Sequence, residues 1–238
     1  MSASTTAMRV STNAYSTGAF WERLWRMSGI NFVVFFIAAY VTYGDQPQIG
    51  ASLDTLVAFY NGDRIRVLIA AVLSGMAVLN LMWFAAALRT TLAQAGQDGW
   101  GAAVTASSAI LGALFLLLIT VGAALAYSIA SSGNAALTSG LNDFAWASFV
   151  LTSLPRAMLI MAGTFGLWRA GLISNMLFAA GIAAIVLVLL GGTTWLNAGF
   201  WSPEGVYSRF ISPIISLAWI VAVSRVLLAR SPAARAGW

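Results

Sequence analysis

The sequence predicts an all-α membrane protein, a polytopic bundle of six transmembrane helices with one short interfacial helix on the outer side. Composition is the first observation behind this prediction. Hydrophobic residues make up 60% and charged residues 8% of the 238 positions, whereas soluble domains contain about 45–50% and about 25%. So few charges cannot cover a water-exposed surface. Lipid is therefore the predicted solvent for most of the chain.

The second observation is the length of the apolar segments. A helix needs about 20 mostly apolar residues to cross the hydrocarbon core of a bilayer, within a range of about 17–25. Six segments come close to this length or exceed it: 27–43, 65–88, 103–130, 144–168, 175–195 and 210–228. They belong to one domain, predicted over 20–230. We expect a disordered tail over the Ser/Thr-rich residues 1–19 and a cytoplasmic tail over 231–238.

The connections between these segments are short and rich in turn residues. The longest, 44–64, contains "SLDTLVAFYNGD", in which Ser52 can cap a helix that "NGD" then ends. Its apolar residues recur on one side, so we expect it to lie on the outer membrane surface. Before the fourth segment, Asn142 or Asp143 is the predicted N-cap.

The distribution of arginine predicts the orientation in the membrane. With the N-terminus inside, eight arginines fall on the cytoplasmic side and three in the outer loops, while five of the seven acidic residues fall outside. Arginine and lysine accumulate in cytoplasmic loops. Both termini of this multi-pass protein are therefore predicted to be on the cytoplasmic side of the cell membrane.

Three residue types are missing, and each absence excludes a class of chemistry. All 12 basic residues are Arg, so no Schiff base can form on lysine, and there is no Cys and no His. Without Cys, disulfides and thiolate nucleophiles are excluded; without His, the commonest haem and zinc ligand is missing. We therefore expect no cofactor and no metal. The positive charges lie at membrane edges rather than in one patch, which argues against nucleic acid as a partner.

Arg156, in "TSLPRAML", is the first candidate for a functional residue. It lies within an apolar run and has no acidic neighbour in the sequence. An arginine at the centre of a membrane helix costs about 2.5–3.5 kcal/mol on insertion scales, so it must face the bundle interior or a water-filled cavity. Pro155 cannot donate to the carbonyl of Leu151 and is expected to kink the helix there. Arg156 is either a ligand-binding residue, a structural residue or a contact for a protein partner.

Four polar side chains in other apolar segments are candidate partners for Arg156: Asn31, Asn80, Thr105 and Ser108. Of these, Asn31, Asn80 and Ser108 are the predicted ligand-binding residues. They would complete a ligand-binding site if they face the guanidinium. The competing interpretation is structural, because an intramembrane Asn commonly bridges helices and small residues such as Ser allow close helix packing.

The outer acidic residues offer a different function. Asp54, Asp143 and Glu204 come from three outer loops, and one of them could act as a proton donor. Small integral-membrane terpene cyclases use such an acid, with aromatic rings that stabilise cations. The corresponding lining here would be Tyr127, Trp146, Trp195 and Trp201. The simpler interpretation is that acidic residues collect wherever arginines do not.

Several stretches resemble a group of six-helix bacterial integral membrane proteins, frequent in actinobacteria. These stretches are "LDTLVAFYNGDRIRVLIAAVLSG", "WFAAALRTTL", "LND", "LWRAGLIS" and "VSRVLLARS". The likeness extends over about 27–230, but "LPRAML" departs from the uncharged run expected after the proline. The resemblance implies the six-helix topology and no particular activity.

Together these features predict a non-enzymatic membrane protein. We expect it to accommodate a lipid-like or amphipathic small molecule, or a partner subunit, around Arg156. The alternatives are the cyclase-like enzyme and a secondary transporter with a water-filled path to Arg156. Membrane lipids are expected partners, and small residues on the helices permit a homo-oligomer.

Overall fold

The computed structural model of the chain describes residues 25–229, and all regular structure within that range is helical. The predicted tails 1–19 and 231–238 lie outside the described residues. Eight α-helices follow one another, some of them continued by π-helical or 3₁₀ turns: α1 Ser28–Tyr43, α2 Leu53–Val57, α3 Arg64–Gln94, α4 Asp98–Ala124, α5 Ala135–Leu151, α6 Ser153–Arg169, α7 Asn175–Gly191 and α8 Ser212–Ala229.

Every predicted apolar segment falls on helical structure, although the lengths differ from the prediction. Four helical stretches are long and apolar enough to cross a membrane, namely Arg64–Gln94, Asp98–Ser132, Ala135–Arg169 and Tyr207–Ala229. Helices α1 and α7 are apolar but have 16 and 17 residues, about 24–26 Å at 1.5 Å per residue. They therefore fall a few ångströms short of a hydrocarbon core of about 30 Å.

The prediction for the start of the fourth segment is wrong. Helix α5 begins at Ala135, about two turns before Asn142, and Oδ1 of Asn134 accepts a hydrogen bond from the amide of Leu137 at 3.1 Å. Asn134 is therefore the N-cap, and Gly133 before it has a positive φ of 75°. Asn142 and Asp143 are interior helical residues instead. The apolar segment used for the prediction begins at residue 144, whereas the helix begins two turns earlier, in residues that are not part of the apolar run.

Helices α5 and α6 form one stretch of 35 residues with an interruption at Thr152. Pro155 lacks an N–H, so it cannot donate to the carbonyl of Leu151. The Thr152 amide lies within hydrogen-bonding distance of both the Ser148 and Phe149 carbonyls, at 3.1 and 3.2 Å. The interruption thus lies one turn before the proline, and it places Arg156 in the first turn of α6.

The helices pack around one large apolar core. Glycines allow some of the closest approaches: a β-carbon on Gly163 of α6 would lie 2.6 Å from the Trp219 ring of α8. Nε1 of Trp219 also donates a hydrogen bond to Oγ1 of Thr164 at 2.9 Å. The buried members of this core include Phe32, Leu81, Phe84, Leu88, Ile160, Leu167, Ile220 and Leu227.

A second apolar cluster lies at one end of the bundle, which we call the cap end. Residues 44–62, 125–134 and 192–206 belong to this end. The predicted surface helix is present as α2, with Oγ of Ser52 accepting from the amide of Thr55 at 3.3 Å and a π-helical turn continuing to Gly62. Leu56 and Tyr60 are fully buried against the end of α4. The prediction of a capped, one-sided helix here is confirmed.

Candidate functional site

An apolar groove opens near the cap end, between α1, α3, α4 and α5. The groove has a cavity volume of about 160 Å³. Engineered apolar cavities of about 150 Å³ can hold benzene. Aromatic and small residues make up most of its walls. They include Phe32, Phe36, Tyr40, Tyr43, Ala70, Ala71, Ala77, Phe115, Ala123, Ala145, Trp146 and Phe149. Such a space suits an apolar chain or ring.

The groove has a polar mouth, formed chiefly by Arg209, Gln46 and the Tyr40 hydroxyl. Arg209 is the one charged residue among the lining residues in the described part of the chain. Its Nε donates to the hydroxyl of Tyr40 at 2.9 Å, and its Nη2 donates to Oδ1 of Asp45. The groove is therefore amphipathic, with a guanidinium at one end of a long apolar wall.

Asn142 fixes the rim of this mouth. Its Nδ2 donates to the carbonyl oxygens of Pro47 and Gln48, both at 3.3 Å, and its Oδ1 accepts from Nε2 of Gln46 at 3.2 Å. Nε1 of Trp146, one turn further along α5, donates to the Pro47 carbonyl at 2.8 Å. Two side chains of α5 thus hold the segment 46–48 against the bundle, and Gln46 and Trp146 both line the groove.

A smaller cavity adjoins the groove and contains Arg156. Four phenylalanines line both spaces: Phe32, Phe36, Phe115 and Phe149. The volume of this smaller cavity is only about 20 Å³, which is room for about one water molecule. Arg156 therefore lies behind the aromatic wall of the groove rather than inside a space that could hold a large ligand.

Arg156 is buried, with 6% of its surface exposed. Its Nε donates to the carbonyl of Thr152 at 3.3 Å, and its Nη2 donates to Oγ of Ser153 at 2.9 Å. Both partners are within one turn of α6, and no carboxylate pairs with Arg156 among residues 25–229. A guanidinium has five N–H donors, so three of them make no hydrogen bond in the described structure.

Residues of α7 and α8 lie close to the first turn of α6, which contains Arg156. A β-carbon on Gly191, the last residue of α7, would lie 2.9 Å from Oγ of Ser153 and 2.5 Å from Oγ of Ser212. Ser212 is the first residue of α8. Arg156 is thus about one turn from the contact between the last residue of α7 and the helical stretch Tyr207–Ala229, five residues after that stretch begins.

The three residues predicted to bind a ligand together with Arg156 do not bind Arg156 in the described structure. Nδ2 of Asn80 donates to the carbonyl of Met76 in its own helix at 2.9 Å, and Oγ of Ser108 donates to the carbonyl of Thr105 at 3.0 Å. Asn31 is half-buried on α1. None of the three lines the groove or the smaller cavity. The hydroxyl group that binds the Arg156 guanidinium is that of Ser153, three residues earlier in the chain.

The three acidic residues of the cyclase-like alternative lie apart from both cavities. Asp54 is exposed, Asp143 is half-buried on α5, and Glu204 is half-buried with its Oε2 shielded and without a hydrogen-bond partner in the described range. Among the four candidate aromatic rings, only Trp146 lines the groove. A cyclase requires its acid in the dry pocket, so the geometry does not favour this alternative.

Arg209 is the residue that sequence reasoning missed. The sequence assigns it to the cap-end loops by its position before the last apolar segment, where an interfacial arginine needs no special explanation. Its place at the groove depends on hydrogen bonds to Tyr40 and Asp45, which lie more than 160 positions away in the sequence. One available signal was that it precedes an aromatic residue, Phe210, whose ring centroid lies 5.4 Å from the guanidinium carbon.

Comparison with known proteins leaves the resemblance noted above as a prediction. No protein-family model, no curated protein and no solved structure matches this chain.

Proposed function

We propose that the chain is a non-enzymatic integral membrane protein that accommodates a lipid-like or amphipathic small molecule within its helix bundle. The groove carries this proposal. Its walls are apolar and aromatic over four helices, and its single charged lining residue, Arg209, lies at the mouth. Ligand pockets are mostly apolar with a few placed polar groups. The molecule would put its apolar part against Phe36 and Phe115 and its polar part beside Arg209 and Gln46.

Arg156 has a supporting role in this proposal. Its cavity shares four phenylalanines with the groove, so a rotation of Phe149 or Phe36 would extend the groove towards its three free N–H groups. An intramembrane arginine without a counter-ion is costly and is commonly kept for function. The inner end of the ligand would approach Arg156 only when this aromatic wall opens.

We further propose that all six apolar helices cross the membrane, with the cap end outside and both termini in the cytoplasm. Helix α1 packs against the long helix α3, and α7 packs against α6, which belongs to the 35-residue stretch Ala135–Arg169. Their deficit of a few ångströms can be met by local thinning of the bilayer. Arg64, Arg66 and Arg209 lie at the cap end, whereas Arg26, Arg89, Arg169 and Arg225 lie at the opposite end, in agreement with the positive-inside rule.

Single-cysteine labelling tests the topology on a clean background, because the chain contains no Cys. Asp54→Cys and Ala198→Cys should react with a membrane-impermeant maleimide in intact cells, whereas Met27→Cys and Met176→Cys should react only after lysis. These residues are all exposed in the structure. Equal labelling of Met176→Cys and Ala198→Cys in intact cells would mean that α7 does not cross the bilayer.

The ligand proposal is tested by filling the groove. Ala123 of α4 lines it, so Ala123→Phe should occupy the space, while Ala86→Phe adds the same bulk to an exposed position of α3. Native mass spectrometry of the gently solubilised protein should show a bound small molecule on the wild type and on Ala86→Phe, but not on Ala123→Phe. Equal retention by all three proteins would contradict the proposal, and a co-purifying polypeptide would favour a partner subunit.

A further inference from the structure

From the mouth of the groove we infer the chemical class of the ligand: an amphipathic molecule with an anionic headgroup that binds the guanidinium of Arg209 in place of the carboxylate of Asp45. This inference rests on the proposed function, because it concerns the polar end of the same ligand. It adds the sign of the headgroup charge, the residue that reads it and the residue that competes with it.

The environment of Arg209 favours an anion. Only 16% of its side chain is exposed, and the Phe210 ring covers one side of it. Two of its five N–H groups have partners, Tyr40 and Asp45, and the other three make no hydrogen bond among residues 25–229. Arginine binds carboxylates and phosphates through two parallel hydrogen bonds. A cationic headgroup beside the guanidinium would be repelled, and a neutral headgroup that displaced Asp45 would leave the charge of Arg209 unmatched.

Asp45 is a weak counter-ion for Arg209. Its side chain is 94% exposed, and an ion pair with a solvent-exposed partner contributes little because water screens it. It belongs to the segment that follows α1 and is not a lining residue of the groove. An anionic headgroup can therefore replace it without breaking any buried contact. The released carboxylate would remain in solvent at little cost.

Tyr40 positions the guanidinium for this exchange. Its hydroxyl accepts the Nε hydrogen at 2.9 Å, and its ring makes an edge-to-face contact with Phe210, with centroids 6.0 Å apart. The hydrogen bond holds the guanidinium on its Nε side, and the ring contact holds Tyr40 in place. The edge formed by Nη1 and Nη2 is left for Asp45 or for the headgroup, which is the edge that pairs with a planar or tetrahedral anion.

The experiment compares two probes that differ only in charge, dibromostearate and its methyl ester. Bromine quenches tryptophan fluorescence at contact, and Trp146 lines the groove, so the quenching that disappears in Trp146→Phe reports occupation of the groove. The full-length protein is used in phosphatidylcholine nanodiscs with the acid in its ionised form. We expect the acid to bind at least about tenfold more tightly than the ester, since hydrogen bonds to charged groups are the stronger ones.

Variants assign the difference to the proposed residues. Arg209→Gln should bring the affinity for the acid down to that for the ester and leave the ester unchanged. Asp45→Asn should raise the affinity for the acid several-fold, because its competitor is gone, and this variant keeps the test available if Arg209→Gln does not fold. Arg64→Gln is the matched control, because Arg64 lies at the same end beside Tyr127 and outside the groove.

The possible failures are distinguishable. Equal affinities of wild type for the acid and the ester would overturn the anionic class and leave the proposed function standing. Quenching by neither probe would overturn both. Loss of both probes in Arg209→Gln, with no effect of Asp45→Asn, would reduce Arg209 to a structural role. Competition by unbrominated oleate or by phosphatidylglycerol then decides whether the headgroup is that of a free acid or of a bilayer lipid.

Discussion

Tyr60 donates its phenolic hydrogen to Oδ1 of Asn142 at 2.9 Å, across 82 positions of the chain. The same oxygen accepts from Gln46, and the Asn142 amide nitrogen donates to two backbone carbonyls of the segment 46–48. Both residues have no exposed surface. One amide side chain thus joins α5, the segment after α1 and the turn after α2, and it does so beside the mouth of the groove.

Replacement of Asn142 should loosen the whole cap end. Asn142→Leu has a similar size but removes the hydrogen-bond partner of the Tyr60 hydroxyl and of the Gln48 carbonyl, whereas the Pro47 carbonyl keeps its bond from Trp146. An unsatisfied buried group costs about 1–3 kcal/mol. We expect a loss of about 2–3 kcal/mol in the free energy of unfolding, measured in detergent by chemical denaturation. Asn80→Leu is the control, since Asn80 bonds only within its own helix. Equal losses in the two variants would contradict this role of Asn142.

Tyr60 should make the folded state sensitive to alkali. Burial raises the pKa of Tyr60 above its ordinary value, which is about 10. Above that pH the unfolded chain releases the phenolic proton and the folded chain keeps it. The unfolded state then binds fewer protons, so stability falls as pH rises, by up to about 1.4 kcal/mol per pH unit from this group.

The check is the slope of stability against pH above about 10. Tyr60→Phe should be less stable than wild type at neutral pH, having lost its bond to Asn142, but should decline less steeply in alkali. Tyr127→Phe should keep the wild-type slope, because the Tyr127 side chain is largely exposed next to Arg64. A wild-type slope in Tyr60→Phe would show that other groups cause the decline.

Arg156 should contribute little to stability, although it is buried. Its hydrogen bonds end at Thr152 and Ser153 of its own chain segment, so they join no two helices, and its charge opposes insertion. We expect Arg156→Met to unfold at the same temperature as wild type or higher. Arg26→Met is the comparison: Nη1 of Arg26 donates to the carbonyl of Leu227 at 3.0 Å and joins the two ends of the chain, so its loss should lower the melting temperature.

The contact between Gly163 and Trp219 gives a steric prediction. The added methyl group of Gly163→Ala would lie 2.6 Å from the indole ring, which Thr164 holds in place through its hydrogen bond. Overpacking of this kind typically costs about 1–3 kcal/mol. Gly75→Ala in α3 meets no atom within 4 Å and should be neutral or stabilising by up to about 1 kcal/mol. Comparing the melting temperatures of Gly163→Ala and Gly75→Ala separates the steric cost from the effect of helix propensity.

The helices were predictable from the sequence because their apolar runs are long and the loops between them are rich in turn residues. The capped helix after Ser52 was predictable for a local reason too, since cap, apolar face and terminating "NGD" lie within 12 residues. The start of α5 was not, because its first two turns are too polar to extend an apolar run. Only the hydrogen bond from Leu137 to Asn134 reveals that start.

The candidate site was predictable only in part. Arg156 stands out in the sequence because it interrupts an apolar run, yet the residues packed beside its first turn, Gly191 and Ser212, come from distant helices. The groove depends on contacts between residues far apart, such as Arg209 with Tyr40, and on the space that small residues of α3 and α4 leave. No local pattern encodes either property, so the sequence directed attention to Arg156 and away from Arg209.

The way in which Asn142 holds the segment 46–48 has a consequence for divergence within any family of this protein. Its amide nitrogen bonds to main-chain carbonyls of residues 47 and 48, which every amino acid possesses. Its oxygen instead accepts from two side chains, chiefly the buried hydroxyl of Tyr60 and also the amide of Gln46. Substitutions at 48, which is exposed, should therefore accumulate freely over evolutionary time. Positions 60 and 142 should instead change together or not at all, a covariation that would survive even where the overall likeness of two sequences has faded.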